Sequence, residues 1–164
     1  MPTLDPEAVI IRAATSADLP TLGRLAALLV RTHHDFDHAR FIAATAQTAR
    51  GYASYLSSQI GQSNTVVLVA VYERCVIGYA WGSLEGVDYI VLRGPAAVLH
   101  DLIVDPDYRV HGVGGSLLQV AITAFEQAGA TQVVLSAAAR NESAQRLFAR
   151  HGFRQTMIEM TRDV

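Results

Sequence analysis

Leu102-Ile103-Val104-Asp105-Pro106-Asp107-Tyr108-Arg109-Val110-His111-Gly112-Val113-Gly114-Gly115-Ser116-Leu117-Leu118 is the stretch that decides how this chain folds. An apolar run stops at Asp105-Pro106-Asp107, because proline biases the residue before it away from helix and Asp favours turns. After the glycines, Leu117, Leu118, Ala121, Ile122 and Phe125 recur at helical spacing until Gly129 ends the pattern. The stretch therefore reads as strand, glycine-spaced turn, amphipathic helix. Glycines let a backbone turn tightly and approach a ligand, and a helix start offers unpaired N–H groups and positive dipole character. Such a turn suits a phosphate or pyrophosphate. Neither common nucleotide pattern fits: there is no lysine for a Walker loop, and Gly112-Val113-Gly114-Gly115-Ser116-Leu117 lacks the third glycine of a dinucleotide fingerprint and comes late in the chain.

Working outward, Ala96–Val104 and Thr131–Ala137 read as strands on either side of this helix. Asn141 caps a further helix that runs through His151 and stops at Gly152, and Met157–Met160 is expected to form a last strand. Upstream, Val9-Ile10-Ile11 is a short strand, and Thr15-Ser16-Ala17-Asp18 opens a helix carrying Leu19, Leu22, Ala26 and Leu29 on one stripe. A second helix is expected over about 39–60 with Ala49, Tyr52, Leu56 and Ile60 in register, interrupted in pattern by Gly51. Thr65–Tyr72, a turn at Glu73-Arg74, and Cys75–Trp81 form a hairpin, and 82–95 is a loop with strand character near Tyr89–Leu92. Strands alternating with helices predict an α/β chain with one mixed sheet covered by helices.

At 164 residues, the chain is read as one domain spanning 1–164. With 51% hydrophobic and 17% charged residues it excludes a disordered tail or a charged coiled coil. Thirteen Lys plus Arg against fifteen Asp plus Glu is too balanced for attraction to a phosphate backbone, so no nucleic-acid partner is expected. The lone cysteine, Cys75, makes neither an internal disulfide nor a CxxC metal site and reads as a buried strand residue. The opening Met1–Glu7 lacks the basic start and apolar core of a signal peptide, and no apolar stretch reaches the ~20 residues of a membrane span. A cytoplasmic location with no membrane association is the expectation.

Arg109-x-x-Gly112-x-Gly114 after an apolar strand resembles the acyl-CoA signature of the GNAT superfamily of N-acyltransferases: Gln or Arg, two residues, Gly, one residue, then Gly or Ala. Asn141-Glu142-Ser143-Ala144-Gln145-Arg146-Leu147-Phe148-Ala149-Arg150-His151-Gly152-Phe153 resembles the family's NxxAxxLYxxxGF. The resemblance is specific from about Leu99 to Phe153. It implies a mixed, mostly antiparallel sheet flanked by about four helices, with a splay between strands 96-104 and 131-137, and acetyl-CoA as cosubstrate. By position, Leu102, Ile103 and Val104 would pair with the pantetheine arm. Arg109, Val110, His111, Gly112, Val113, Gly114 and Gly115 would form the pyrophosphate loop, and Asn141 and Ser143 would touch the arm from the other side. The same glycines also suit a tight turn without a ligand, and Asn141 is equally suited to capping alone.

Acyl transfer to an amine needs a base for the ammonium and stabilisation of the leaving thiolate. The resemblance puts the acid at the tyrosine of the second block, where this chain has Phe148, which donates no proton. It puts the base on the strand before the glycine turn. Alternation there groups Val98, His100, Leu102 and Val104 on one face and Asp101 and Ile103 on the other. His100 is thus the candidate base, since imidazole titrates near neutral pH; the competing reading is a hydrogen-bonded histidine at a sheet end. Asp101, Tyr79 and Trp81 read as structural. His33-His34-Asp35-Phe36-Asp37-His38 is not read as a metal site, because neighbouring residues on an irregular segment rarely converge on one ion. The resemblance implies that this segment, between helices one and two, lines the acceptor side, which makes Asp35 and Asp37 candidates to attract a cationic amine; the competing reading is a solvated loop. The function implied is acetyl transfer from acetyl-CoA to a primary amine, small-molecule or peptide, within a ternary complex. The alternative is an acyl-CoA-binding sensor or interaction module. A homodimer is compatible with the resemblance but has no signature in the sequence.

Overall fold

The β-branched and aromatic runs become strands, and the 3.6-periodic runs become helices packed on their two faces. The computed structural model describes residues 4–164, so Met1–Thr3 of the signal-peptide reading lie outside the described residues. Its strands are β1 (Ile10–Ala13), β2 (Thr65–Tyr72), β3 (Cys75–Glu85), β4 (Ala96–Val104) and β5 (Val133–Leu135), and its helices α1 (Leu19–Phe36), α2 (Thr48–Gln59), α3 (Val113–Gln127) and α4 (Glu142–Arg150). They form a sheet in the order β1-β2-β3-β4-β5. The first four strands are antiparallel, and β5 joins β4 in parallel after the α3 crossover. This is the mixed, mostly antiparallel sheet flanked by four helices that the sequence implies.

Two cores separate on the sheet. On one face Leu117, Leu118, Ala121 and Phe125 of α3 pack on Leu68, Ala70, Ala80, Ala97, Leu99 and Val104. On the other, Leu22, Leu25 and Ala26 of α1 and Leu56 of α2 cover Val67, Val69, Tyr79, Trp81 and Ile103. The two helices of the second layer touch closely: a Cβ at Gly23 of α1 would stand 2.3 Å from the Ala49 carbonyl oxygen, so only glycine permits this crossing.

Several boundaries differ from the sequence reading. Residues 39–47 are not helical, because α1 ends where Asp37 turns extended and its carboxylate takes the N–H groups of Ala39 and Arg40. Side-chain acceptors of this kind compete with helix continuation. The chain re-enters helix only at Thr48, whose hydroxyl accepts the Thr45 N–H at 2.8 Å. β3 runs beyond Trp81 to Glu85 because Ser83, Leu84 and Glu85 pair with Ala96–Val98. Within the following loop, strand character is limited to a single bridge, Asp88 to Arg93, and Tyr89, Ile90 and Leu92 project into solvent. The strand expected over 131–137 contracts to Val133–Leu135. Met157–Met160 is no strand: it is exposed and has no sheet partner among the described residues, and Glu159 pairs instead with Arg40 of the α1–α2 connection. Cys75 is exposed at the β2–β3 turn rather than buried.

The β1–α1 corner is held by charge. Asp18 is buried, accepts both guanidinium nitrogens of Arg12 at 2.8 and 2.9 Å, and closes a capping box with Thr15. The Arg12 hydrogen bonds hold its carboxyl down at about 2. A carboxylate depressed in the folded state contributes stability above its unfolded pKa, and that contribution is lost as pH falls through the folded pKa. Asp18→Asn should therefore lower stability at neutral pH by about 1–2 kcal/mol. In urea titrations its deficit relative to the parent should shrink as the pH is taken from about 4 to about 2.

Candidate active site

The chemistry-bearing residues gather where β4 changes partners. Its parallel pairing with β5 covers Ala97–Leu99 against Val133–Leu135 and stops there, while β4 continues to Val104 beside β3. From His100 onward the edge of β4 that faced β5 has no strand against it, which is the splay the sequence implies. At the same point the β3–β4 register slips: Trp81 faces Asp101, Gly82 faces Leu99, and His100 is the extra residue.

This bulge overturns the facial grouping drawn from alternation. Leu99 and Leu102, not His100 and Leu102, share the α3 face. Asp101 and Ile103 lie on the α1–α2 face, and His100 joins them there, stacked on Trp81 at 4.3 Å between ring centroids. One extra residue flips everything beyond it. Opposite the bulge, a Cβ at Gly82 would meet the Val98 carbonyl oxygen at 2.4 Å and the Phe125 ring at 2.7 Å, so glycine is what lets β3 and α3 close on this irregular segment.

Two polar clusters follow. His100 Nε2 lies 3.0 Å from Glu85 Oε1 and 3.1 Å from Ser83 Oγ, and Arg93 holds the other Glu85 oxygen at 2.8 Å. In the neutral imidazole the carboxylate neighbour places the proton on Nε2, and Nδ1 has no partner among the described residues. Asp101 is buried and accepts from the Tyr79 hydroxyl at 2.9 Å and the Tyr52 hydroxyl at 3.1 Å. Burial pushes its carboxyl up, and burial beside this carboxylate pushes both phenols up as well. Trp81 Nε1 is the one buried side-chain donor without an acceptor among the described residues.

A cavity of about 170 Å³ opens beside His100, walled by Leu29, Val30 and His33 of α1 and by Phe41 and Ile42 of the connection to α2. Asp35 and Asp37, the expected cation attractors, do not line it. The Asp37 carboxylate is occupied by the turn it caps. The histidine-rich segment disperses: Nδ1 of His33, His34 and His38 each contacts a backbone carbonyl, of Leu29, Phe41 and His34 respectively. Sequence reasoning missed His33, Phe41 and Ile42 as cavity residues, since the expected helix ran through the latter two.

Beyond β4, the turn at Pro106–Tyr108 leads into the glycine loop. Val110 and Gly112 take positive φ of 64° and 81°. Among the described residues, no acceptor meets the N–H groups from Val110 through Gly115, and the first backbone bond of α3 is Ser116 N–H to the Gly112 carbonyl. His111, Val113 and Gly114 line the same turn. Arg109 bends back, its Nε donating to the Val104 carbonyl at 3.0 Å. Leu102, Ile103 and Val104 pair with β3 on one edge and have no strand on the other, where β5 has already stopped. Asn141 caps α4 by accepting the Ala144 N–H at 3.1 Å, the capping reading, while Ser143 is exposed in the first turn. Phe148 is half-buried against the α3-side core, its ring edge-on to Phe153 at 5.9 Å.

This arrangement of a parting parallel pair feeding a helix start is matched by comparison with known proteins. The sequence profile of the Acetyltransferase (GNAT) family matches residues 27–153. The chain belongs to that family. Its fold is shared with a protein of Bacillus halodurans, BH1408, solved as a tetramutant (22% identity, 94% of this chain and 99% of that one, TM-score 0.80). It is also shared with a GCN5-related N-acetyltransferase from Ralstonia eutropha JMP134 (21%, 95% and 98%, 0.72). A third relative is an aminoglycoside acetyltransferase from an uncultured soil metagenomic sample, solved with sisomicin (20%, 96% and 97%, 0.64). No curated protein matches the chain.

The buried Asp101 cluster makes a direct forecast. Tyr79→Phe removes one of two donors to a desolvated carboxylate and should lower stability by about 1.5–3 kcal/mol, measured by urea unfolding at pH 7.

Proposed function

We propose that the chain is an N-acetyltransferase that binds acetyl-CoA and a primary amine together and transfers the acetyl group directly. The observation that carries this reading is the run of free N–H groups from Val110 to Gly115, standing at the N-terminus of α3 and following the stretch of β4 whose outer edge has no strand against it. Unsatisfied donors at a helix start fit a pyrophosphate, and the open edge of an extended strand fits an amide-bearing arm. Arg109 fixes the start of the loop through Val104 and keeps further donors for a phosphate.

Acetyl-CoA, when bound, supplies an activated acetyl thioester. The residues of the chain do the rest. The amine must lose a proton before its nitrogen can form the amide bond, and Nδ1 of His100 is the acceptor, its imidazole oriented by Glu85 and Ser83 and backed by Trp81. As the carbon–nitrogen bond forms, the carbon–sulfur bond breaks and the electron pair stays on sulfur. A CoA thiol of pKa near that of cysteine can leave as the anion and take its proton from solvent, which accommodates Phe148 in the tyrosine position. The same Phe148 favours the second reading, a module that binds acyl-CoA without turnover; thiol release over a panel of amines separates the two.

Two outcomes test the proposal. Gly112→Val, at φ 81°, should weaken CoA binding by roughly tenfold or more in calorimetry. Gly114→Ala should bind nearly normally, since a Cβ there meets Leu147 and Val104 at ordinary distances of 3.6 and 3.7 Å. Equal affinities in both folded variants would remove the cofactor assignment. His100→Ala should lower kcat by roughly a hundredfold at neutral pH, with CoA affinity unchanged; a near-normal rate from pH 6 to 9 would return His100 to a structural role.

A further inference from the structure

The cavity beside His100 is apolar on most of its wall, with Leu29, Val30, Phe41 and Ile42 contributing four of its six residues. The other two are histidines, and each engages one ring nitrogen with the protein and leaves the other without a partner among the described residues. His33 Nδ1 is 2.9 Å from the Leu29 carbonyl, which accepts only, so Nδ1 carries a proton and the neutral imidazole has its lone pair on Nε2. The His33 ring is fixed by edge contacts with Phe36 and Phe41, at 6.1 and 5.1 Å between centroids. His100 leaves Nδ1 free for the reason given above.

No carboxylate lines this cavity. Of those nearby, Asp37 is engaged with its own turn, Glu159 with Arg40, Glu85 with Arg93 and His100, and Asp101 under two tyrosines, while Asp35 is exposed outside the lining. A polycation therefore meets no carboxylate in the cavity wall. The volume argues the same way, because cavities of about 150 Å³ with aliphatic and aromatic walls take up a single benzene ring. At about 170 Å³ the space suits one ring or a short branched chain. At the rim, Ile42 leaves 79% of its surface in water, apolar area that a similar substituent would cover.

Resting on the function proposed above, we infer that the acceptor is a primary monoamine bearing one compact apolar or aromatic substituent, its nitrogen held between His33 and His100. The apolar wall serves the chemistry as well as recognition. Desolvation disfavours an ammonium ion, so an amine drawn in by its hydrocarbon part gives up its proton more readily than one held by carboxylates.

The test uses 2-phenylethylamine, spermidine and the aminoglycoside sisomicin, with acetyl-CoA and detection of free thiol. The kcat/KM for 2-phenylethylamine should exceed the other two by roughly tenfold or more. Ile42→Glu, at an exposed position, should raise the KM for 2-phenylethylamine and lower it for spermidine. His33→Phe keeps the ring but loses the acceptor, and should weaken 2-phenylethylamine binding in calorimetry performed without acetyl-CoA. A preference for spermidine or sisomicin in the parent protein, or an Ile42→Glu variant with unchanged selectivity, overturns the inference while leaving acetyl transfer intact. Calorimetric binding of 2-phenylethylamine that depends on Ile42 and His33, with no thiol released, sustains the ligand class and overturns the transfer reaction instead. Absence of binding in the parent protein overturns the ligand class outright.

Discussion

Everything at the site depends on how β4 disposes of its backbone hydrogen bonds. A strand inside a sheet has donors and acceptors on both edges, and leaving them dry and unpaired is costly. β4 is paired with β3 along nearly its whole length but with β5 over only three residue pairs. The remaining edge is an extended, unpartnered backbone ending in a loop whose own N–H groups are also free. One segment of chain thus presents a strand edge and a helix start in succession, which matches an elongated ligand with amide groups at one end and phosphates at the other.

The bulge at His100 is the second constraint. Without it, strict alternation from Leu99 would turn Asp101 onto the α3 face among Leu117, Leu118 and Phe125, where a carboxylate has no polar partner. With it, His100 and Asp101 both reach the α1–α2 layer, but into different surroundings. His100 stands at the surface on Trp81 beside Glu85, whereas Asp101 lies beneath it between Tyr52 and Tyr79. Two neighbouring titratable groups are in this way given separate environments, one accessible and one sealed. Tyr52 joins this arrangement to α2, whose position against α1 rests on the absence of a side chain at Gly23.

The β4–α3 half of the molecule was legible in the sequence because its signals are local. Asp105-Pro106 ends a strand, Gly112 takes a conformation few residues tolerate, and the stripe from Leu117 to Phe125 needs no distant partner to be recognised. The half around the β4 bulge and the α1–α2 connection was less so. A β-bulge has no dependable residue signature, so alternation put His100 on the wrong face. Asp37 ended α1 by capturing its neighbours' N–H groups, which turned 39–47 from an expected helix into cavity wall. Met157–Met160 has the composition of a strand, but strand propensity becomes structure only where a neighbouring edge is offered.

The order of strands across the sheet is the order of strands along the chain. Every strand therefore pairs with its immediate predecessor in synthesis, and three of the four pairings join segments separated by a turn, a loop or one helix. Such a topology keeps most contacts short in sequence and favours assembly by successive addition to a growing edge. β5 is the final addition, attached by three residue pairs. The parting between β4 and β5 is accordingly the last join along the chain and the one with the fewest residue pairs. A molecule lodged across it would act as a bolt on the outermost strand, tying occupancy of the cleft to completion of the fold.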